Sequence, residues 1–381
     1  MVNVLKNKRF RFGLPIKNKI VLFHESHEHI LKNLILPQFK ILTYKTSPET
    51  FYISVSILCN YIKQLFHYKW KSFFNKKITF RKFLSELINN YRLVIIEHIN
   101  PKIIITFIDD SGAYHWLQKN CKNIEFFAIQ NGNRSNAQLK KSDYINHQHY
   151  FCFGDYEKNH FTKFNVKVNN YYSTGSIFAD YYHQNNPIKE VKSKYDICIV
   201  SMWPTHNKEQ FDSVKLMDSY INRFIKDYKL KAIISLRTNE TLKKLSYHYN
   251  PQELDEKSYF KSIYSKEILF NERDEESIYD IMLNSELIIG FLTTTLREAF
   301  GWGKKAIYCD FTGTKDYLTF NEKLLFTKPN YDTFSQNLYK LLNEPNEDYI
   351  ERTREYANYV MNFDLEFPAH KIIRDKVNQY I

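Results

Sequence analysis

Two doubly wound, Rossmann-like α/β domains that face a central cleft are what this sequence predicts, on three observations. Short apolar runs alternate with longer segments of helical spacing along nearly the whole chain, as parallel strands alternate with crossover helices. The pattern breaks at a polar, charged stretch, Asn185 to Lys194, which reads as a linker, and then starts again. The polar motifs sit where apolar runs end, and ligands of doubly wound sheets bind beyond those carboxyl ends. A chain of 381 residues suits two domains of ordinary size.

In the first half, Lys19 to Phe23 is a short strand that runs into the polar loop His24 to His29. Ile30 to Leu36 is helical and stops at Pro37, and Phe39 to Tyr44 is a second strand. Two long helices follow, about Glu49 to Tyr68 and Phe80 to His98. In the first of them Phe51, Val55, Leu58, Ile62 and Leu65 keep helical spacing. Lys102 to Phe107 is continuously apolar, as in a buried parallel strand. It ends in Asp109-Asp110-Ser111-Gly112, and Ala113 to Asn120 is the next helix. Ile124 to Ile129 is a strand ending in Gln130-Asn131-Gly132-Asn133-Arg134, with Gly132 read as a turn glycine. His149 to Phe153 is a strand ending at Gly154, with a helix from Tyr156. Tyr171 to Thr174 is a strand ending at Gly175-Ser176, which opens another helix.

In the second half, Tyr195 to Val200 is a strand ending in Ser201-Met202-Trp203-Pro204, followed by a helix over Lys208 to Tyr228. Lys231 to Leu236 is a strand ending in Arg237-Thr238-Asn239, and Glu267 to Phe270 is another. Glu275 to Leu283 is a helix. Ser285 to Asp310 then reads strand, turn, helix, strand. Leu287 to Ile289 is its first strand, ending at Gly290. Thr293, Thr294 and Thr295 put hydroxyls where a helix begins, and Gly303 closes that helix before a strand at Lys305 to Tyr308. Such a helix start leaves free N–H groups and a partial positive charge, so it can hold a phosphate. Glu298, one turn inside, can accept from sugar or ribose hydroxyls. A capped helix with an acidic turn also needs no ligand, so the stretch alone does not decide function. Leu324 to Thr327 is a last strand, with helices near Tyr331 to Leu342, Asp348 to Tyr359 and His370 to Tyr380.

Hydrophobic residues at 43% and charged residues at 25% supply a packed core and exclude disorder. The five cysteines are unclustered and show no metal-ligand spacing, which fits a reducing compartment. The net charge of +12 suits nucleic acid, anionic lipid or a phosphorylated substrate. Lys and Arg are spread along the chain, which argues against a nucleic-acid arm. Neither a secretory signal nor a membrane-spanning run is visible, so a cytoplasmic protein is expected. Its basic, aromatic N-terminal half can touch an anionic membrane at the inner face of the plasma membrane.

Four stretches carry a family resemblance: AIQNGNR at Ala128 to Arg134, FCFGDYEKNHF at Phe151 to Phe161, STGSIFADYY at Ser173 to Tyr182, and GFLTTTLREAFGWGKKAIYCD at Gly290 to Asp310. With them the chain resembles the GT-B glycosyltransferases, and more narrowly the bacterial transferases of O-antigen and capsule biosynthesis. The resemblance implies an acceptor-side domain at 1–185, a nucleotide-sugar domain at 186–365, and a final helix, 366–381, that crosses back onto the first domain. It implies a nucleotide-sugar donor of CMP or UDP type, a surface glycan or lipid-linked glycan as acceptor, and no metal or other cofactor for the chemistry. No clear Glu-x7-Glu pair of the retaining type and no His-Pro dipeptide is present, so Glu298 alone is carried over and Arg237 stands in for the phosphate contact.

Each candidate has a functional and a bland reading. Thr293 to Thr295, with Arg237 and Ser201, can bind donor phosphates; capping and a surface ion pair are the alternatives. An inverting transfer needs a base for the acceptor hydroxyl, and Asp109 or Asp110 suits it, one of the two being expected to cap the following helix. His24, Glu25 and His27 are the second choice of base. Gln130, Asn131, Gly132, Asn133 and Arg134 can hold sugar hydroxyls or a carboxylate, or form a plain turn. Gly175 and Ser176 offer a second anion-binding helix start. Two further functions fit the same features: a nucleotide-sugar epimerase of GT-B fold, and a non-catalytic binder of anionic glycans.

Overall fold

The structure is a computed structural model that describes residues 9–45, 50–72, 80–141, 145–186, 193–237, 249–265, 268–271 and 276–381. In the first half the strands are β1 (Arg9–Phe12), β2 (Ile20–Phe23), β3 (Ile41–Tyr44), β4 (Thr50–Ile53), β5 (Ile103–Thr106), β6 (Glu125–Ile129), β7 (Asn146–Cys152) and β8 (Lys167–Ser173). Six of them form one parallel sheet in the order β3-β2-β5-β6-β7-β8. Every residue of β2 and β5 is buried, because helices cover both faces and leave no side for polar alternation. The second half adds β9 (Tyr195–Val200), β10 (Ala232–Ser235), β11 (Leu269–Asn271), β12 (Ser285–Gly290), β13 (Lys305–Cys309) and β14 (Leu325–Phe326). These make a second parallel sheet in the order β11-β10-β9-β12-β13-β14.

This is the GT-B architecture of two Rossmann-like domains. Each sheet reverses its direction of growth once, between β2 and β5 in the first and between β9 and β12 in the second. Such switch points leave a crevice at the carboxyl ends of the two central strands. The final helix Ala369–Asn378 crosses back, burying Ala369, Ile373 and Val377 in the core that holds Ile20, Leu22 and Ile105. Arg374 Nε donates to the carbonyl of Ile35 at 2.9 Å and locks the helix there.

The expected helix at Glu49 to Tyr68 divides in two, and Glu49 lies outside the described residues. Thr50–Ile53 pairs in parallel with β1, Phe10 facing Phe51 and Phe12 facing Ile53, so strand pairing outcompetes the helical spacing. The helix starts at Val55, where the Ser54 hydroxyl accepts the Ile57 N–H at 3.1 Å. Its apolar residues Val55, Leu58 and Ile62 point to solvent instead of into a core. The short polar helix Asn136–Lys141 carries too few apolar positions to be foreseen. The middle of the linker, Thr238, Asn239, Glu267 and Glu275 also fall outside the described residues.

Candidate functional site

In the second domain the switch point is set by close backbone approach. Gly290 pairs with Val200, and a Cβ on Gly290 would lie 2.8 Å from the Val200 carbonyl. Phe291 is buried, and Thr293 caps the helix Thr294–Gly301, its hydroxyl accepting the Thr295 N–H at 3.4 Å. Thr293, Thr294 and Thr295 are half-buried, so a small anion can reach this helix start. Arg237 follows β10, exposed at the same edge of the sheet, and its N–H donates to Glu256 Oε1 at 2.8 Å.

Two residues expected beside the donor are turned inward. Ser201 is buried and donates its hydroxyl to the Glu256 carboxylate. A phosphate there would meet that carboxylate's charge. Glu298 is buried too, accepting from the hydroxyls of Ser176 and, at 3.2 Å, Tyr279. Burial raises its carboxyl above the usual range, against the pull of those donors. Trp203 is a packing residue, stacked on Tyr259 at 3.9 Å.

In the first domain the switch point joins the end of β2 to the end of β5. His24, at φ 74°, turns back toward Ser111, with Nε2 and Oγ 2.9 Å apart. Ser111 also caps the helix Gly112–Asn120 by accepting the Tyr114 N–H, so neither Asp109 nor Asp110 is the cap as expected. Its side chain, one residue closer to the helix, has the reach that the aspartates lack. Burial, then the nearby Arg92, lowers His24 to about 4, so its ring is neutral at pH 7.

The two aspartates have different surroundings. Asp109 is buried, with its carboxylate on Arg134 and on the Tyr150 hydroxyl at 2.9 Å, and the Asn131 N–H at 3.4 Å. Burial pushes its carboxyl up, and Arg134 counters. The Arg134 guanidinium is itself held protonated: burial works against its charge, and Asp109 and Asp110 outweigh it. The Asp110 side chain is 42% exposed and lies 3.8 Å from the same guanidinium. Asp109 is thus a buried anchor for Arg134, and Asp110 is the more exposed of the two carboxyl groups.

The turn after β6 joins the two domains. Asn133 N–H donates to Thr294 Oγ1 at 3.2 Å, and its side-chain amide donates to the Tyr308 hydroxyl at 3.0 Å. Gln130 is buried scaffold, accepting the Phe153 N–H at 2.9 Å and donating to Glu157 at 3.0 Å. Asn131 accepts from Arg134 at 2.8 Å. Gly132 has no left-handed φ, and a Cβ there would make only ordinary contacts at 3.5 Å with Arg134 and Thr294. Its expected role as a turn glycine is therefore not needed. Gly175 does need to be glycine: φ is 81° and a Cβ would collide with the Asn362 carbonyl at 1.9 Å. Ser176 caps the helix Ile177–Asn185 and gives its hydroxyl to Glu298, so Gly175-Ser176 is part of the seam.

Sequence reasoning missed the charge pair that holds this seam. Arg297 is fully buried and grips Glu157 at both oxygens, 2.7 and 2.9 Å, across the domains. Its Nε donates to the Val360 carbonyl at 2.8 Å, and Phe153, Tyr156 and Phe320 surround it with ring centroids 5.0 to 5.4 Å away. The signal was an Arg in the short helix between Leu296 and Phe300; the partner, 140 residues away, left none. Among the described residues no group of three or more His, Cys, Asp or Glu could hold a metal ion. No helix there is long and apolar enough to cross a membrane.

No protein-family model matches the sequence, and no curated protein does. Solved structures do resemble the fold. The UDP-GlcNAc 2-epimerase of Methanocaldococcus jannaschii, in complex with UDP-GlcNAc and UDP, is 15% identical over 94% of this chain and 98% of its own, with a TM-score of 0.53. A UDP-forming α,α-trehalose-phosphate synthase from Burkholderia xenovorans is 10% identical over 96% and 98%, with a TM-score of 0.51. A glycosyltransferase from Rickettsia africae is 13% identical over 98% of both chains, with a TM-score of 0.50. At such identities the likeness establishes the GT-B fold.

Proposed function

We propose that this chain is a glycosyltransferase that moves a sugar from a UDP- or CMP-type donor to a surface glycan or lipid-linked glycan acceptor, on the cytoplasmic side. One observation carries the reading: Asn133 of the first domain reaches Thr294 at the capped, half-buried helix start of the second, and the neighbouring Arg134 lies 3.8 Å from the partly exposed carboxylate of Asp110. In this reading a donor anion at that helix start and an acceptor base at Asp110 meet at the carboxyl ends of both sheets. The solved structures of like fold, two of them named for UDP or its sugars, support a nucleotide-sugar ligand.

In this reading the N–H groups after Thr293 and the Arg237 guanidinium hold the donor phosphates and meet the charge that grows as the sugar leaves. Asp110 takes the acceptor hydroxyl proton as the new C–O bond forms and the sugar–phosphate bond breaks. Arg134, fixed by Asp109 and Asn131, orients Asp110. The transfer is inverting and metal-independent.

Thermal shifts with UDP, CMP, GDP and dTDP test the donor. One nucleotide should raise the melting temperature, since a ligand at a hundred times its Kd adds about 2.7 kcal/mol. Asp110→Asn should keep that shift and lose transfer by about a hundredfold or more. A flat panel, or full transfer by Asp110→Asn, overturns the reading. An altered nucleotide sugar released without acceptor would make the protein an epimerase.

A further inference from the structure

The even spread of Lys and Arg conceals an uneven distribution of acids. Residues 1–24 and 50–85 hold 13 of the 54 basic residues and none of the 42 acidic ones, so the rest of the chain carries a net charge of −1. The basic excess of the protein therefore belongs to two stretches of the first domain.

The described parts of these stretches also expose an apolar surface. Phe12 is 87% exposed and Val55 80%, and Phe10, Ile16, Leu58 and Phe66 each exceed half. They are neighbours in the fold: β1 lies along β4, Gly13 N–H donates to the Ile53 carbonyl at 2.9 Å, and the helix Val55–Ser72 follows directly. Residues 55, 58, 62 and 66 run down one side of that helix. The charged residues exposed on these stretches are cations such as Arg11, Lys17 and Lys63, and the following helix adds the exposed carboxylate of Glu97, which accepts from Gln64 at 3.3 Å. A soluble surface seldom keeps so many large apolar side chains together unless something covers them.

We propose that this face docks on an anionic membrane surface. Protein–protein interfaces are depleted in Lys, whereas a mainly cationic rim around protruding apolar tips is what an anionic bilayer attracts and admits. Phe12 and Val55, the most exposed, enter the headgroup boundary; the lysines lay their stems along it and keep their charges among lipid phosphates. The surface lies on the domain read as the acceptor side. This inference goes beyond the proposed function and does not depend on it: nucleotide binding in solution tests that reading, and vesicles test this one.

The test is co-sedimentation of the full chain with phosphatidylcholine vesicles, with and without about a third phosphatidylglycerol. The protein should sediment with the anionic vesicles and stay in solution with the neutral ones. Binding should weaken steeply from about 0.1 M to about 1 M salt, as the Debye length falls from about 10 Å to about 3 Å. The double variant Phe12→Glu, Val55→Glu should lose at least about tenfold in affinity, and Lys63→Glu at least about fivefold. Both should melt as the parent does, since the side chains replaced are exposed. No sedimentation, equal sedimentation on both vesicles, or unchanged binding by the double variant overturns the proposal. So does a parent dimer in light scattering that the double variant splits, which would give the face to a second copy.

Discussion

Arg297 shows how far one buried charge can be argued. Its guanidinium has no solvent, and the two-point grip on Glu157 is what makes that burial tolerable. Arg297→Met should cost about 3–5 kcal/mol, because Glu157 stays behind as an unpaired buried charge. Adding Glu157→Gln should return a sizeable part of the loss. Urea unfolding of the two single variants and the double variant measures the coupling; additive losses would show that the pair is not the link across the seam. The same physics separates Asp109 from Asp110. The sequence Asp109-Asp110 marks a carboxylate pair at a strand end, but which one faces solvent depends on Arg134, from the turn after β6, and Tyr150, from β7. The inward turn of Ser201 and Glu298 was illegible for the same reason: their partners Glu256 and Ser176 are distant in sequence.

Elements were legible wherever local signals agree with the fold. Tyr195–Val200 and Lys208–Tyr228 fall where apolar run and helical spacing put them, and Thr293 is the cap that the threonine run predicts. The failure at Thr50–Ile53 came from a strand partner, β1, that no local pattern could reveal. Glycines separate in a similar way. Gly175→Ala must hold a left-handed φ and push on the Asn362 backbone, so it should cost at least about 2 kcal/mol. Gly132→Ala meets only ordinary contacts and should change stability by less than about 1 kcal/mol. Melting of the two variants decides this, and equal losses would mean that the turn after β6 is as tightly held as the seam at Asn362.

Across the whole molecule, burial has set two populations of titrating groups against each other. His24, His115, His147, His149, His160, His183 and His206 are all lowered, with burial the first cause. Such groups stay neutral in the fold while the unfolded chain takes up protons, so each loses stability as pH falls below about 6.5. Asp218 works in the opposite sense. Buried, and held by Tyr259 and Tyr264 at 2.9 Å each, it is raised to about 7 by burial. Its contribution is present below about pH 4 and is lost as pH rises toward 7, with an amplitude on the order of 4 kcal/mol. Single substitutions should therefore tilt the stability profile in opposite directions. His147 has no hydrogen bond on either ring nitrogen and stacks on Tyr150 at 4.3 Å, so phenylalanine can take its place. Relative to the parent, His147→Phe should gain stability as pH falls from 7 to 5, and Asp218→Asn should lose it. The level at pH 7 carries the cost of repacking, while the slope carries the proton count, so urea unfolding at several pH values separates them. Parallel profiles for parent and both variants would mean that neither group changes its proton affinity on folding.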